Sequence, residues 1–223
     1  MSNSEDILNQ RKEEAIFYFS QMRKIDEGVT GIERLESQKL LKILKSNYLM
    51  MLYNLEEACI TSAFDELYEA INSDSIPYTD CIEKIKNKWL LEMGGRYVDK
   101  SKTKIVGSLE KLIKTILEAE PLQLNINPVG VGGNIDAKKI QTMCNDHGIY
   151  FRTKALKESL LFIKEKRQIL AHGQESFSDC ARDVTLNDLE MYSSNIIEYV
   201  EAVVFAVNKF KKEKRYNITI QQS

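Results

Sequence analysis

From Ile32 to Ile71 apolar side chains recur at intervals of three and four, through Leu41, Leu44, Tyr48, Met51, Leu52, Leu55, Cys59, Phe64, Leu67 and Ile71. That period is the period of a helix; a strand would require strict alternation, which the stretch lacks. The run exceeds the roughly 8–20 residues of an ordinary globular helix, so the sequence predicts a break at Ser37 or at Ser46-Asn47, whose side chains compete for backbone hydrogen bonds.

The flanking segments follow the same period. Glu5 to Lys24 places Leu8, Ala15, Phe19 and Met22 on one side and stops towards Gly28 and Gly31. After Pro77, Thr79 or Asp80 is placed to cap a helix that carries Trp89 and ends at Gly94-Gly95. A helix over Lys104 to Glu118 gathers Ile105, Leu109, Leu112, Ile113 and Ile116 on one face. Glu120 to Gly133, rich in proline, glycine and asparagine, reads as a loop. A short helix is expected from Asp136 to Asp146, closed by Gly148, and a longer one from Thr153 to Ala171, stopped by Gly173. The last begins at Thr185, paired with Asp188 as in a capping box, and runs to Lys212 with Leu189, Ile196, Val200, Val203, Val207 and Phe210 in a stripe. The class expected is therefore all-α, an antiparallel helical bundle with additional inserted helices. A chain of 223 residues suits one domain, with residues 76–133 as the inserted region and residues 209–223 as a basic C-terminal tail.

Composition narrows the function. The formal net charge is -2, so any contact with a polyanion has to come from a local patch. Cys59, Cys81, Cys144 and Cys180 form no C-x-x-C pair, which argues against a zinc site or a disulfide framework and for a reducing, cytoplasmic home. Met1 to Gln10 is polar where a signal peptide would be apolar, and no run approaches the ~20 apolar residues of a membrane span.

The segment Lys166-Arg167-Gln168-Ile169-Leu170-Ala171-His172-Gly173 is the most informative for chemistry. Leu156, Leu160, Ile163, Arg167 and Leu170 are spaced by fours and threes, which puts Arg167 on an apolar stripe. A guanidinium there needs an anion: a carboxylate partner in the fold, a subunit interface, or a phosphate in a cleft. His172 precedes a helix-stopping glycine, where capping histidines are common. Five positions along a helix separate two side chains by about 140°. The two groups converge only if the backbone turns at His172-Gly173 or the Arg167 side chain reaches round the helix end.

Arginine, four residues, histidine and glycine, followed by Ser176-Phe177, Arg182, Thr185 and Leu189, resemble the HEPN superfamily (higher eukaryotes and prokaryotes nucleotide-binding), in its stand-alone bacterial MAE-type branch. The strings Leu49-Met50-Met51-Leu52-Tyr53-Asn54-Leu55-Glu56 and Gly133-Asn134-Ile135-Asp136-Ala137-Lys138-Lys139-Ile140 resemble it too, so the likeness covers most of residues 38–210. Gln168 departs from the asparagine or other small polar residue that many members carry after the arginine. The resemblance implies an RNase without metal or other cofactor, with Arg167 and His172 as catalytic residues at a composite site of a homodimer. It also implies a setting as toxin or antiviral defence effector, with a cognate antitoxin or defence-system protein as partner. The alternative within the superfamily is a non-catalytic module that binds nucleotides or proteins. A toxin neutralised by nucleotide transfer to a tyrosine is disfavoured, because Gly173 and Gln174 follow His172.

Supporting roles fall to Glu56, read either as orienting Arg167 through a charge-assisted hydrogen bond or as an exposed helix glutamate, and to Gln168 and Ser176. Lys138, Lys139, Lys211 and Lys212 are candidate RNA contacts, the last two within the basic run Lys209 to Tyr216 that also holds two aromatics. Lys100 to Lys104 is a second basic patch. Cys144 and His147 are spaced like half a zinc site and read better as a helix-end pair. Val129-Gly130-Val131-Gly132-Gly133 lacks the lysine and hydroxyl of a P-loop and reads as a hinge.

Overall fold

The computed structural model describes residues 2–95, 102–125 and 134–221. The glycine run 129–133 lies outside them, as do the side chains of the 100–104 patch. The helices are α1 (Asn3–Asp26), α2 (Arg34–Ser73), α3 (Glu83–Gly95), α4 (Lys102–Leu117), α5 (Ala137–His147), α6 (Lys157–Ala171), α7 (Phe177–Cys180), α8 (Leu186–Lys212) and α9 (Ile218–Gln221). Among the described residues no strand forms, only isolated bridges pairing Pro77 with Pro121 and Cys81 with Asn217. The all-α class read from the periodicity is the class observed.

Three boundaries differ from the sequence reading. Helix α2 runs unbroken through Ser37 and Ser46-Asn47. The polar side chains bond back without displacing the ladder: Asn47 Nδ2 donates to the Ile43 carbonyl at 3.2 Å and Ser37 Oγ to that of Ile32 at 3.4 Å. Thr79 and Asp80 form a 3₁₀ turn, so α3 starts later, at Glu83. Helix α6 starts at Lys157 because Thr153 and the amide of Lys154 are bonded to Glu198, and the amide of Leu156 to Asn195 at 2.8 Å, which holds that stretch extended. At α8 the expected cap is present: Asp188 N–H donates to Thr185 Oγ1 at 3.1 Å and Thr185 N–H to Asp188 Oδ2 at 2.9 Å.

The chain divides into two compact units. The first takes described residues 2–62, 134–140 and 151–204, and thus α1, α6 and most of α2 and α8. Its cross-links fix helix directions. Lys12 pairs with Glu201 and Arg23 with Glu190, so α1 and α8 are antiparallel. Asn3 bonds Ser62 and Tyr18 bonds the Leu44 carbonyl, so α1 and α2 are antiparallel as well. Phe162 stacks on Tyr192 while Leu156 bonds Asn195, which runs α6 against α8. The result is a four-helix bundle filled by Leu49, Leu52, Leu160, Ile163, Leu189, Ile196 and Val200, all fully buried. Each such side chain contributes about 1.5–3 kcal/mol on leaving water.

The second unit takes described residues 63–95, 102–125, 141–150 and 205–221. It holds Trp89, with Tyr78 at 5.6 Å, and the buried Phe64, Tyr68 and Tyr216. In α4 Val106, Leu109, Ile113 and Leu117 are exposed. The described part of the expected basic tail packs partly against this unit. Phe210 and Tyr216 are buried, the Tyr216 hydroxyl donates to Asp74 at 2.7 Å, and Lys214 pairs with Asp74.

Candidate active site

Helix α6 ends in a way the sequence dictates. The His172 N–H still donates to the Gln168 carbonyl at 3.0 Å, so His172 keeps the helical register, with φ -91° and ψ 1°. Gly173 then turns at φ 63°, its N–H meeting the Leu170 carbonyl at 3.1 Å while Gln174 N–H meets that of Ile169 at 3.0 Å. This pair of bonds is a Schellman motif, and the left-handed residue it requires is the glycine. The reversal therefore comes after His172, at Gly173. His172 is exposed, as is every residue from Ala171 to Asp179.

Arg167 is half-buried with its guanidinium 5.1 Å from the ring centroid of Tyr53, on α2. The Tyr53 ring is itself immobilised, fully buried and with its hydroxyl accepting the Ile135 N–H at 3.0 Å. A guanidinium over an aromatic face gains about 0.5–2 kcal/mol without losing its charge. Among the described residues Arg167 makes no ion pair, so of the three fates open to it the carboxylate partner within the fold is not the one found. The stripe drawn from sequence is only partly real. Leu160, Ile163 and Leu170 are buried in the bundle, and Leu156 lies before the helix and is 53% exposed. That stripe is bundle core and is not free to face another chain, contrary to the expectation for a dimer interface.

The 134–140 segment is held against Tyr53 and against the residues of α6 on either side of Arg167. Asp136 caps α5, accepting the Lys139 N–H at 2.8 Å, and pairs with Lys164 at 2.6 Å. Partial burial pushes the Asp136 carboxyl up, but the bonds from Lys164 and from the Lys139 and Lys138 amides outweigh it and hold it below its ordinary value. Gln168 donates to Asn134. Tyr53, Asn134, Asp136 and Lys164 were not among the site residues read from sequence. The signal was present, since three of them lie in the two strings that carry the family resemblance.

Glu56 fits neither of its two readings. It is fully buried, and neither carboxyl oxygen has a hydrogen-bond partner. Burial pushes its carboxyl well above the ordinary value, with the charges of Asp136 and Glu57 adding to the effect and Lys164 opposing it. The i+3 position from Tyr53 on α2 places it along the helix from the ring that carries Arg167, but it does not bond Arg167.

The remaining candidates separate. Ser176 is exposed and donates to Asp179. Lys138 is exposed and Lys139 half-buried at the start of α5. Lys211 is paired with Glu66 and is therefore a poor phosphate contact, whereas Lys212 is exposed. Cys144 and His147 are both buried. The His147 Nδ1–H donates to the Met143 carbonyl at 2.6 Å and the Tyr68 hydroxyl donates to Nε2 at 2.7 Å. With both nitrogens engaged, His147 is a core histidine, as a helix-end pair implies. Among the described residues no three of His, Cys, Asp and Glu cluster as metal ligands, and no helix is long and apolar enough to cross a membrane.

A family model for MAE-like HEPN proteins matches residues 1–216. No curated protein and no solved structure matches the chain. The match covers both compact units, including α2, the 134–140 segment and the end of α6. The chain belongs to the MAE-like HEPN family.

Proposed function

We propose that the protein is an endoribonuclease that cuts RNA by attack of the ribose 2′-hydroxyl, with Arg167 and His172 as its catalytic residues and with each site shared between two chains. HEPN domains are generally RNases or nucleotide-binding modules. The observation that favours cleavage is the state of Arg167: a cation fixed on the Tyr53 ring at 5.1 Å and not neutralised by any carboxylate among the described residues. An exposed imidazole stands five residues on, in the same helix.

Cleavage by a 2′-hydroxyl needs a base for that hydroxyl, an acid for the departing 5′-oxygen, and cationic donors for the charged phosphorane. One imidazole cannot stand on both sides of the phosphorus. Within one chain, moreover, helical register carries His172 about 7.5 Å along and about 140° round from Arg167. A two-fold pair of chains supplies two imidazoles and two guanidiniums and removes both difficulties. The exposed stretch from Ala171 to Asp179, which carries His172, supports that pairing.

Such a nuclease suits a toxin or defence effector held in check by a partner protein. The reading is tested by incubating the purified protein with total RNA in excess chelator. Cleavage that leaves 2′,3′-cyclic phosphate ends on RNA, with DNA untouched, is the expected result. Loss of all activity in chelator, restored by a divalent metal, would contradict it.

A further inference from the structure

Three consecutive residues of the first unit, Asn134, Ile135 and Asp136, are each tied to a different side chain of α2 or α6. Asn134 accepts from Gln168, the residue after Arg167, and Asp136 pairs at 2.6 Å with Lys164, three residues before it. The segment is thus fastened to α6 at two points that bracket Arg167 in sequence. Between them the Ile135 N–H donates to the Tyr53 hydroxyl at 3.0 Å, and the Tyr53 ring is the one that the Arg167 guanidinium overlies at 5.1 Å. The far end is fixed as well: Asp136 accepts the Lys139 N–H at 2.8 Å, and the Ala137 carbonyl accepts the hydroxyl of Tyr199, on α8, at 3.1 Å.

The kind of partner given to Arg167 has a chemical consequence. A carboxylate would engage two guanidinium donors and neutralise the charge that a phosphate needs to meet. An aromatic face attracts the cation through its quadrupole and takes none of the five N–H donors. The ring can hold the guanidinium in place only if it is itself held. Tyr53 is fully buried, and its hydroxyl is bonded to a backbone that is pinned on either side. Glu56, three residues on along α2, adds no strong anion, because its burial favours the neutral carboxyl.

We infer that Tyr53 is a positioning residue for Arg167, and that residues 134–136 act through its hydroxyl as a strap that fixes where the guanidinium meets the scissile phosphate. Tyr53 touches no reacting atom; it presents Arg167 in one place, still charged. This deepens the ribonuclease reading and rests on it for the phosphate, but the position of Arg167 is measurable without cleavage.

The test joins NMR of the arginine Nε–H groups with steady-state cleavage kinetics, both on the full-length chain, and Arg167→Lys assigns the Arg167 signal by removing it. In the wild type that signal should be shifted by the Tyr53 ring current and should be more ordered than the signal of the exposed Arg34. Tyr53→Leu should abolish both properties and lower kcat by ~10²-fold with KM unchanged, the cost of misplacing a reacting group by about 1 Å. Tyr53→Phe, which keeps the ring and drops the strap's bond, should keep the shift, lose part of the order and recover most of kcat. A merely structural Tyr53 would instead lower the denaturation midpoint of Tyr53→Leu and leave the Arg167 signal and kcat per folded chain unchanged, which would overturn the inference. A wild-type Arg167 signal that is unshifted and as mobile as that of Arg34 would overturn it with no variant at all, so the test survives a Tyr53→Leu chain that fails to fold. A shifted, ordered Arg167 in a protein that cuts no RNA would refute the ribonuclease reading and leave the positioning role standing.

Discussion

The chain has two histidines, and each sits at a helix end just before a glycine with positive φ, 74° at Gly148 and 63° at Gly173. Their surroundings have little else in common. His147 is 1% exposed, lies 5.0 Å from Phe64 between ring centroids, and has both nitrogens bonded, and burial pulls its pKa down from 6.5 to about 4. His172 closes α6 in the open, with its ring exposed on a stretch that is exposed throughout. The same local grammar thus yields one histidine that holds a core together and one that is available for chemistry. What separates them is the aromatic neighbourhood of His147, formed by Phe64 and Tyr68, against the mostly polar, exposed stretch that follows Gly173.

The largest expected effect comes from swapping their fates. His172→Ala should lower RNA cleavage by roughly 10²- to 10⁴-fold, as for loss of a general acid or base, while the denaturation midpoint stays put. His147→Ala should do the reverse. It opens a cavity and strands the Tyr68 hydroxyl, at a cost of about 3 kcal/mol, while the folded fraction keeps its specific activity. Chemical denaturation and cleavage assays on both variants decide the matter; a folded His147→Ala protein without activity would break the comparison.

Next in size is a pH effect. The folded pKa of His147 is depressed, so the unfolded chain binds its proton first, and stability should fall as pH drops from about 6.5 to about 4. The loss from this one group is on the order of 3 kcal/mol. His147→Gln, which keeps an acceptor for Tyr68, should flatten that part of the stability profile. Glu56 works in the opposite sense. Its folded pKa is raised, so its contribution is full at low pH and disappears as pH rises through the folded value. Glu56→Gln should therefore remove the decline that sets in as pH rises past the ordinary carboxylate value and gain stability above it; an unchanged profile there would show that Glu56 is not held protonated. Smallest are the two glycines. Gly173→Ala meets no atom within 4 Å, so its cost should be the left-handed backbone alone, about 1 kcal/mol by denaturation, and Gly148→Ala, with Lys84 and Ile82 in ordinary contact, should cost about the same.

Much of this was legible in the sequence because it is local. The helix period, the Thr185 and Asp188 cap, and the stop at Gly173 depend on neighbours in the chain, and each is where the pattern put it. The unbroken α2 was not legible. Ser37 and Asn47 are helix-weakening by type, and only the length of buried face along α2 overrides them. Glu56 was misread for the same reason in reverse: a glutamate in a helix pattern reads as exposed or paired, and only the packing of α2, α6 and the 134–140 segment shows a buried, unbonded carboxyl. Arg167 stood out in the sequence as a charge among apolar spacings, but its neighbour is an aromatic ring on another helix, which spacing along α6 cannot reveal. The ion pairs of the basic tail were not legible either, because the acids that meet Lys211 and Lys214, Glu66 and Asp74, lie well over a hundred residues earlier in the chain.

The claim that two chains build each site is tested most directly by measuring mass and cleavage together. Light scattering and RNA cleavage would be followed over one dilution series of the wild-type protein, at the same temperature and salt. The account predicts that activity per chain falls in proportion to the dimer fraction and vanishes with it. A monomer that cuts RNA at an undiminished rate per chain would contradict the account.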